Sequence, residues 1–169
     1  MEMQFDRIPV AYLKKLTDSI RAQEETLEVR LPEGMPDIGR VLGAWGQVVI
    51  RGKDWNSDDV ALSCGVMAWV LYTPEDGEGV RSVEAWLPFS MKWDLPETRY
   101  DGKIIASCML KSIDARSTSA RKLMVRAVLC ADMKLWQAEQ AQLAVPGDLP
   151  PDIRLLTSEY PVILPKETG

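Results

Sequence analysis

The feature that most constrains this fold is one long run, residues 60–73, in which almost every side chain is hydrophobic or small. Side chains of a β-strand point alternately to its two faces. The even positions of the run therefore share one face and the odd positions share the other, and both faces are largely apolar. This pattern predicts a central strand that is covered on both sides, with Trp69 in the core.

Shorter runs of the same kind surround this strand. Residues 26–31 alternate cleanly between apolar and polar, and residues 74–79 have the composition of a hairpin loop. Pro88 interrupts the run that follows, which indicates an edge strand or a bend, because proline cannot donate to a sheet ladder. Bulges are expected at Gly65 and Pro88. Further strands are predicted at residues 46–52, 80–87, 89–95, 103–113 and 122–136.

Two short helices are also predicted. The apolar residues of segment 1–22 fall at helical spacing, with an extended arm as the alternative. Residues 36–43 fit one or two helical turns, because Pro36 and Asp37 suit a helix start. Asp37 would then cap that helix.

Together these elements predict a mainly β fold. It is either an antiparallel β-sandwich or a curled, barrel-like sheet of long hairpins, with one or two short helices. The chain divides into an N-terminal amphipathic segment (1–22), a β domain (23–145) and a C-terminal tail or linker (146–169). The tail holds five of the eleven prolines, which favours an extended conformation.

The charge and hydropathy of the chain argue against several classes of partner. The net charge is −5 and the sequence pI is about 4.9, whereas nucleic-acid binding depends on clustered Lys and Arg. No stretch approaches the roughly 20 apolar residues of a membrane helix, and the N-terminus has no secretion signal. We therefore expect a cytoplasmic protein that binds neither nucleic acid nor membrane.

The residues needed for common catalytic and metal sites are missing. The absence of histidine removes Ser-His-Asp and Cys-His catalysis and the commonest transition-metal ligand. Three widely spaced cysteines lie in apolar runs, where a thiol packs as a small hydrophobe. Carboxylates at residues 54–59 do not fit a calcium loop, and no glycine-rich phosphate loop occurs. We expect no metal, no cofactor and no enzyme activity.

The six tryptophans are the strongest indication of a binding surface. Exposed aromatic rings mark protein interfaces or carbohydrate platforms. Trp55, Trp86 and Trp93 are candidates for such a surface, with packing as the alternative for each. A glycan-binding β-module that uses these tryptophans is the alternative function.

Several short motifs, taken in order, resemble the SPOCS domain of bacterial spore coat morphogenesis proteins. They are residues 31–38 (Leu-Pro-Glu-Gly-Met-Pro-Asp-Ile), 70–72 (Val-Leu-Tyr), 87–90 (Leu-Pro-Phe-Ser), 113–116 (Ile-Asp-Ala-Arg) and 120–127 (Ala-Arg-Lys-Leu-Met-Val-Arg-Ala). The resemblance covers residues 20–136; the domain occurs in SipL-type proteins and is related to the N-terminal region of SpoVID coat proteins. It implies a β-rich module that docks coat-assembly proteins at the forespore surface, in the cytoplasm of the mother cell. The LysM domain with which SipL-type proteins bind the coat-basement ATPase has no counterpart in this sequence.

The resemblance also implies candidate interaction residues and partners. Pro36, Asp37 and Ile38 lie in its first motif, and Arg121 and Lys122 lie in its last. The first group has a structural alternative, in which Asp37 caps a helix and Ile38 packs against the sheet. The alternative for Arg121 and Lys122 is a charged base of a hairpin. The expected partners are other spore coat or envelope proteins, or further copies of this chain.

Overall fold

The computed structural model describes residues 5–56, 58–95 and 102–147, together with the single residues 158 and 161. Most of the predicted tail therefore lies outside the described residues. Nearly all of the described chain forms six long strands: β1 Phe5–Arg30, β2 Ile38–Trp55, β3 Asp59–Pro74, β4 Arg81–Asp94, β5 Gly102–Ser119 and β6 Lys122–Pro146.

The six strands form two antiparallel sheets of three strands each. The first sheet has the order β1-β6-β5, and the second has the order β2-β3-β4. Over the residues that the structure describes, the two sheets do not close into a barrel. The prediction of a mainly β, antiparallel fold is thus confirmed, and its barrel-like alternative is not formed.

One hydrophobic core lies between the two sheets. The even positions of β3 and the odd positions of β4 and β6 are buried, as strand alternation requires. Each large side chain that is removed from water here contributes roughly 1.5–3 kcal/mol of transfer free energy. The largest of the fully buried side chains are Trp93, Tyr72, Leu62, Leu87, Leu123, Leu129, Met133 and Leu135.

Both predicted helices are wrong, because none of the described residues is helical. Residues 5–22 instead form the first part of β1, so the predicted boundary at residue 22 lies inside a continuous strand. β1 pairs with β6 along its whole length. That tertiary pairing outweighs the weak helical preference of a short segment. In place of the second predicted helix, residues 36 and 37 have no regular secondary structure and residues 38–43 form the start of β2.

The central position of β3 and the edge position of β4 were predicted correctly, but the cover on both sides of β3 and the bulges were not. β3 lies in the middle of its sheet, and Pro88 lies on the edge strand β4. Gly65 and Pro88 pair directly with each other, with no shift of register between β3 and β4. The register shifts between Lys15 and Thr17 and at positions in β2 and β5.

Candidate interaction surface

The outward side of β3 carries aromatic and apolar side chains that remain partly exposed. No sheet or helix of the described chain covers this side, so Met67, Trp69 and Leu71 lie half-buried on it. The register brings Trp45 of β2 opposite Trp69, and Trp86 of β4 opposite Met67. Directly opposed residues are near enough to pack. We term this surface the aromatic face; it consists of Trp45, Val49, Met67, Trp69 and Trp86.

Trp45 and Trp69 form a stacked pair at the centre of the aromatic face. Their ring centroids are 6.3 Å apart and their planes are inclined by 17°. The Trp69 Nε1 donates a hydrogen bond of 3.0 Å to Glu84 Oε1, which fixes the orientation of that ring. Trp45 remains 45% exposed. The pair therefore presents a partly exposed indole surface to solvent, and the orientation of the Trp69 ring is fixed.

Trp86 is packed between a glycine and an arginine. A Cβ atom added to Gly65 would lie 2.2 Å from Trp86 Cζ2, so the ring rests directly on the glycine backbone. The Arg51 guanidinium lies 4.0 Å from the ring centroid, a cation–π contact. Trp86 contacts both Gly65 and the Arg51 guanidinium and is half-buried, so less of its ring is open to solvent than that of Trp45.

A cleft of about 530 Å³ opens beside Trp86, between β4 and the edge strand β1. Gln23 and Glu25 line its β1 side, and the Gln23 Nε2 donates to Glu25 Oε1 at 2.7 Å. Arg51 lines the other side, and among the described residues it has no carboxylate within ion-pair distance. A stacked guanidinium can still present its N–H edge to a carboxylate. The Arg51 side of the cleft is suited to an anionic group on a ligand, whereas the β1 side already holds the Glu25 carboxylate.

The other two candidate tryptophans point inward. Trp93 is only 2% exposed, because odd positions of β4 face the core, so packing rather than a surface role applies to it. Trp55 is half-buried, and a Cβ on Gly102 would lie 2.1 Å from its Cη2. It packs between the ends of the two sheets and is not part of the aromatic face.

The motif residues meet at one end of the sandwich, although they are more than 80 positions apart in sequence. The Arg121 guanidinium donates to the carbonyl oxygens of Pro32 and Met35, each at 3.0 Å, and to Asp37 Oδ1 at 2.7 Å. It thereby ties the connection between β1 and β2 to the turn between β5 and β6. We term this contact the arginine latch.

Backbone and core contacts complete this end of the molecule. The Ile38 N–H donates to the Ala120 carbonyl at 2.7 Å, and the Tyr72 hydroxyl donates to the Pro36 carbonyl at 3.0 Å. Ile38 itself is buried in the core. Asp37 caps no helix and is instead the carboxylate partner of Arg121. Pro36, Asp37, Ile38 and Arg121 thus lie together at a structural junction, far from the aromatic face along the strands.

Ion pairs cross the outward side of the first sheet, beside the exposed apolar residues Ile20 and Met109. Lys122 Nζ lies 2.8 Å from Glu28 Oε1, and Arg126 Nη2 lies 2.5 Å from Glu24 Oε2, both across β1 and β6. The hydrogen bond from Lys122 holds the pKa of Glu28 below its usual value of 4.5. Lys122 therefore belongs to this ion-paired surface.

The cysteines do not form a reactive site. All three are free, and Cys64 is buried while Cys108 and Cys130 are half-buried. Burial is the main cause that raises the pKa of the Cys64 thiol to about 12, away from the thiolate that a nucleophile requires. Across the described residues, no group of three or more acidic or thiol side chains is arranged to hold a metal ion.

Comparisons with known proteins return no match: no family model, no curated protein and no solved structure is significantly similar to this chain. The resemblance to the SPOCS domain therefore stays a prediction. In the part of the chain that the structure describes, no helix is long and apolar enough to cross a membrane.

The sequence did not predict Trp45, Arg51 or Trp69 as surface residues. Trp69 was assigned to the core, because both faces of residues 60–73 are apolar. The available signal was the odd face itself, where Met67, Trp69 and Leu71 follow one another. In a two-sheet sandwich each sheet has only one core face, so one of the two apolar faces of β3 had to lie outside.

Proposed function

We propose that this chain is a non-catalytic protein-interaction and assembly module, and that the aromatic face is its binding surface. The observation that carries the proposal is the stacked pair of half-buried Trp69 and 45% exposed Trp45 on the uncovered face of the second sheet. Tryptophan and arginine are the residues most enriched at the energetic centres of protein interfaces.

The chemistry of the aromatic face and of the neighbouring Arg51 favours one kind of partner. Trp45 and Met67 offer apolar area, and Arg51 offers a guanidinium that is stacked but free of a carboxylate. The matching partner is a protein segment that places an apolar side chain on Trp45 and a carboxylate against Arg51. Charge complementarity of this kind fixes the register of an interface.

The biological setting rests on the sequence resemblance alone. The SPOCS-like motifs support a role in spore coat morphogenesis, with coat or envelope proteins as partners, or copies of this chain, at the forespore surface in the mother cell. The residues of the first and last motifs build the arginine latch. In this proposal they maintain the fold, and the aromatic face supplies the contact.

The test is a matched pair of variants measured by sedimentation velocity and by titration with purified coat-assembly proteins. Trp45→Ala removes the exposed ring, and we expect at least a tenfold loss of affinity, since interface tryptophans commonly contribute about 2 kcal/mol or more. Met109→Ala, at a 66% exposed position on the first sheet, is the control and should bind like the wild type. Equal affinity of the two variants would overturn the role of the aromatic face.

A glycan-binding module remains the second candidate because of Trp45. Its ring is exposed enough to stack on a sugar, whereas Trp86 is half-buried beneath Arg51 and Trp93 is buried. Titration with peptidoglycan fragments, followed by tryptophan fluorescence, discriminates between the two functions. A saturable change that Trp45→Ala abolishes would favour the glycan; no change at millimolar sugar would exclude it.

A further inference from the structure

Two of the three cysteines face each other across the core. Cys64 lies on the core side of β3, in the second sheet, and is only 3% exposed. Cys108 lies on β5, in the first sheet, and packs against the same core. Cys130 occupies an even position of β6, whose buried positions are odd, and therefore points outward. The two facing thiols thus belong to different sheets, and the third lies on the other side of the first sheet.

Contacts between β2 and β5 fix how the two sheets are aligned at this point. Gly46 of β2 lies against β5, where an added Cβ atom would be 3.3 Å from Leu110 Cδ2. Further along β2, Trp55 lies against Gly102, near the start of β5. Both cysteines lie between these two contacts, one on β5 itself and the other on β3, opposite the intervening stretch of β2. The alignment of the sheets therefore places the two cysteines at the same level.

The thiols of Cys64 and Cys108 are hydrogen-bonded to each other. Burial is the main cause that raises the pKa of both thiols, and the hydrogen bond raises the pKa of Cys64 further but lowers that of Cys108, so Cys64 donates and Cys108 accepts. The Cα atoms of β3 and β5 come within 8 Å of each other, whereas packed sheets usually lie about 10 Å apart. Disulfides join Cα atoms that are roughly 4.4–6.8 Å apart. Only a short closing movement therefore separates the two sulfurs from a covalent bond.

We propose that Cys64 and Cys108 are a modification site, which a low-molecular-weight disulfide such as glutathione disulfide converts into a covalent bond between the two sheets. The bond closes a loop of 44 positions (108 minus 64). Closing a loop of that length restricts the unfolded chain and so stabilises the folded one. Neither cysteine belongs to the aromatic face, and this inference is independent of the proposed function.

The reaction consists of two successive thiol–disulfide exchanges. The Cys108 thiolate attacks one sulfur of glutathione disulfide, forms a mixed disulfide and releases one glutathione thiolate. The Cys64 thiolate then attacks the Cys108 sulfur of the mixed disulfide and releases the second. The protons of the two protein thiols pass to the two glutathione thiolates, so the protein loses two electrons and one glutathione disulfide gains them. Because burial disfavours both thiolates, we expect the exchange to be slow in the closed sandwich and fast during folding.

The test is refolding of the reduced, urea-unfolded full chain in a glutathione redox buffer, so that every thiol is accessible at the start. The remaining thiols are then blocked with N-ethylmaleimide, and the tryptic peptides are identified by mass spectrometry. Cys64 lies in peptide 54–81, Cys108 in peptide 104–111 and Cys130 in peptide 127–134, so each pairing gives a different linked mass. We expect the link between peptides 54–81 and 104–111 to exceed every other pairing by at least roughly tenfold.

Three serine variants and a stability measurement complete the test. Cys130→Ser is the matched control and should form the link like the wild type, whereas Cys64→Ser and Cys108→Ser should not form it. In urea denaturation, we expect the oxidised wild type to unfold at a midpoint about 1–2 M higher than the reduced wild type. Cys108→Ser should show the same midpoint in oxidising and reducing buffer. Circular dichroism of each variant under reducing conditions reports whether it folds.

Either of two results would overturn the proposal. If the link between peptides 54–81 and 104–111 is absent, or is no more abundant than links that contain Cys130, the fold does not select this pair of thiols. If the oxidised protein unfolds at the same or a lower urea concentration than the reduced protein, the bond strains the two sheets and does not join them in the arrangement that they already have.

Discussion

The two outward sides of the sandwich have opposite chemistry, although each belongs to a three-stranded antiparallel sheet. On the first sheet the cross-strand neighbours are ion pairs, Glu28 with Lys122 and Glu24 with Arg126. On the second sheet they are an indole pair, Trp45 with Trp69, and a thioether–indole pair, Met67 with Trp86. The same architecture thus carries one surface suited to water and one suited to a partner.

Under the proposed function, the two outward sides have different roles: the ion pairs keep the first sheet solvated, and the aromatic face binds a partner. Exposed ion pairs contribute only about 0–1 kcal/mol each, so the first sheet gains little stability from its charges. Interspersed charges of both signs do keep a sheet face solvated. The aromatic face exposes costly apolar area and holds Trp69 through Glu84. A surface of that kind is typical of binding sites.

The largest expected effect tests how tightly the aromatic face is packed. Gly65→Ala puts a methyl group 2.2 Å from Trp86 Cζ2 and 2.7 Å from the Leu87 carbonyl oxygen. We expect a loss of about 2–3 kcal/mol in the free energy of unfolding, because overpacking forces both groups to move. Urea denaturation followed by circular dichroism measures the change.

A double-mutant cycle locates the cause of that loss. Trp86→Ala in the Gly65→Ala background should recover part of the stability and not all of it, since the clash with the Leu87 backbone remains. Met109→Ala on the first sheet should cost less than about 0.5 kcal/mol, as exposed substitutions usually do. Gly65→Ala with wild-type stability would contradict the contact between Gly65 and Trp86.

Much of the fold was predictable because strand alternation and turn composition are local signals. The run at residues 60–73 identified β3 and its central position, and Pro88 identified the edge strand. The helices were predicted wrongly because short apolar spacings are ambiguous until a pairing partner is known. β1 is extended because β6 pairs with it, and that partner lies more than 90 positions away.

The candidate site was harder to predict because it depends on register. Trp45 and Trp69 meet only when β2 and β3 pair with particular shifts, and the sequence does not specify these. Trp93 and Trp86 lie in one strand, yet an odd number of positions separates them, so one is buried and the other faces outward. Alternation alone defined the two faces of β4 but not which face packs against the first sheet.

The second expected effect concerns the arginine latch, which belongs to neither outward side. Arg121→Ala leaves the carbonyl oxygens of Pro32 and Met35 without their side-chain donor. We expect a loss of about 1–2 kcal/mol in unfolding free energy, measured by urea denaturation. Arg126→Ala is the matched control: its pair with Glu24 is exposed, so the loss should stay below about 0.5 kcal/mol. Equal losses would mean that Arg121 acts only as another surface charge.

The smallest expected effect is a pH dependence confined to the first sheet. The pKa of Glu28 is lowered in the folded protein, mainly by the hydrogen bond from Lys122. A lowered folded pKa means that this contribution to stability is complete above the unfolded value, about 4.5, and is lost as the pH falls through the folded value. Lys122→Ala should therefore move the pKa of Glu28 back toward 4.5, and carboxyl-carbon NMR measures that pKa. Added salt should shift the pKa of Glu28 in the same direction in the wild type, because exposed ion pairs are screened. If Glu28 titrates at its usual value in the unmodified protein, Glu28 and Lys122 do not form the ion pair.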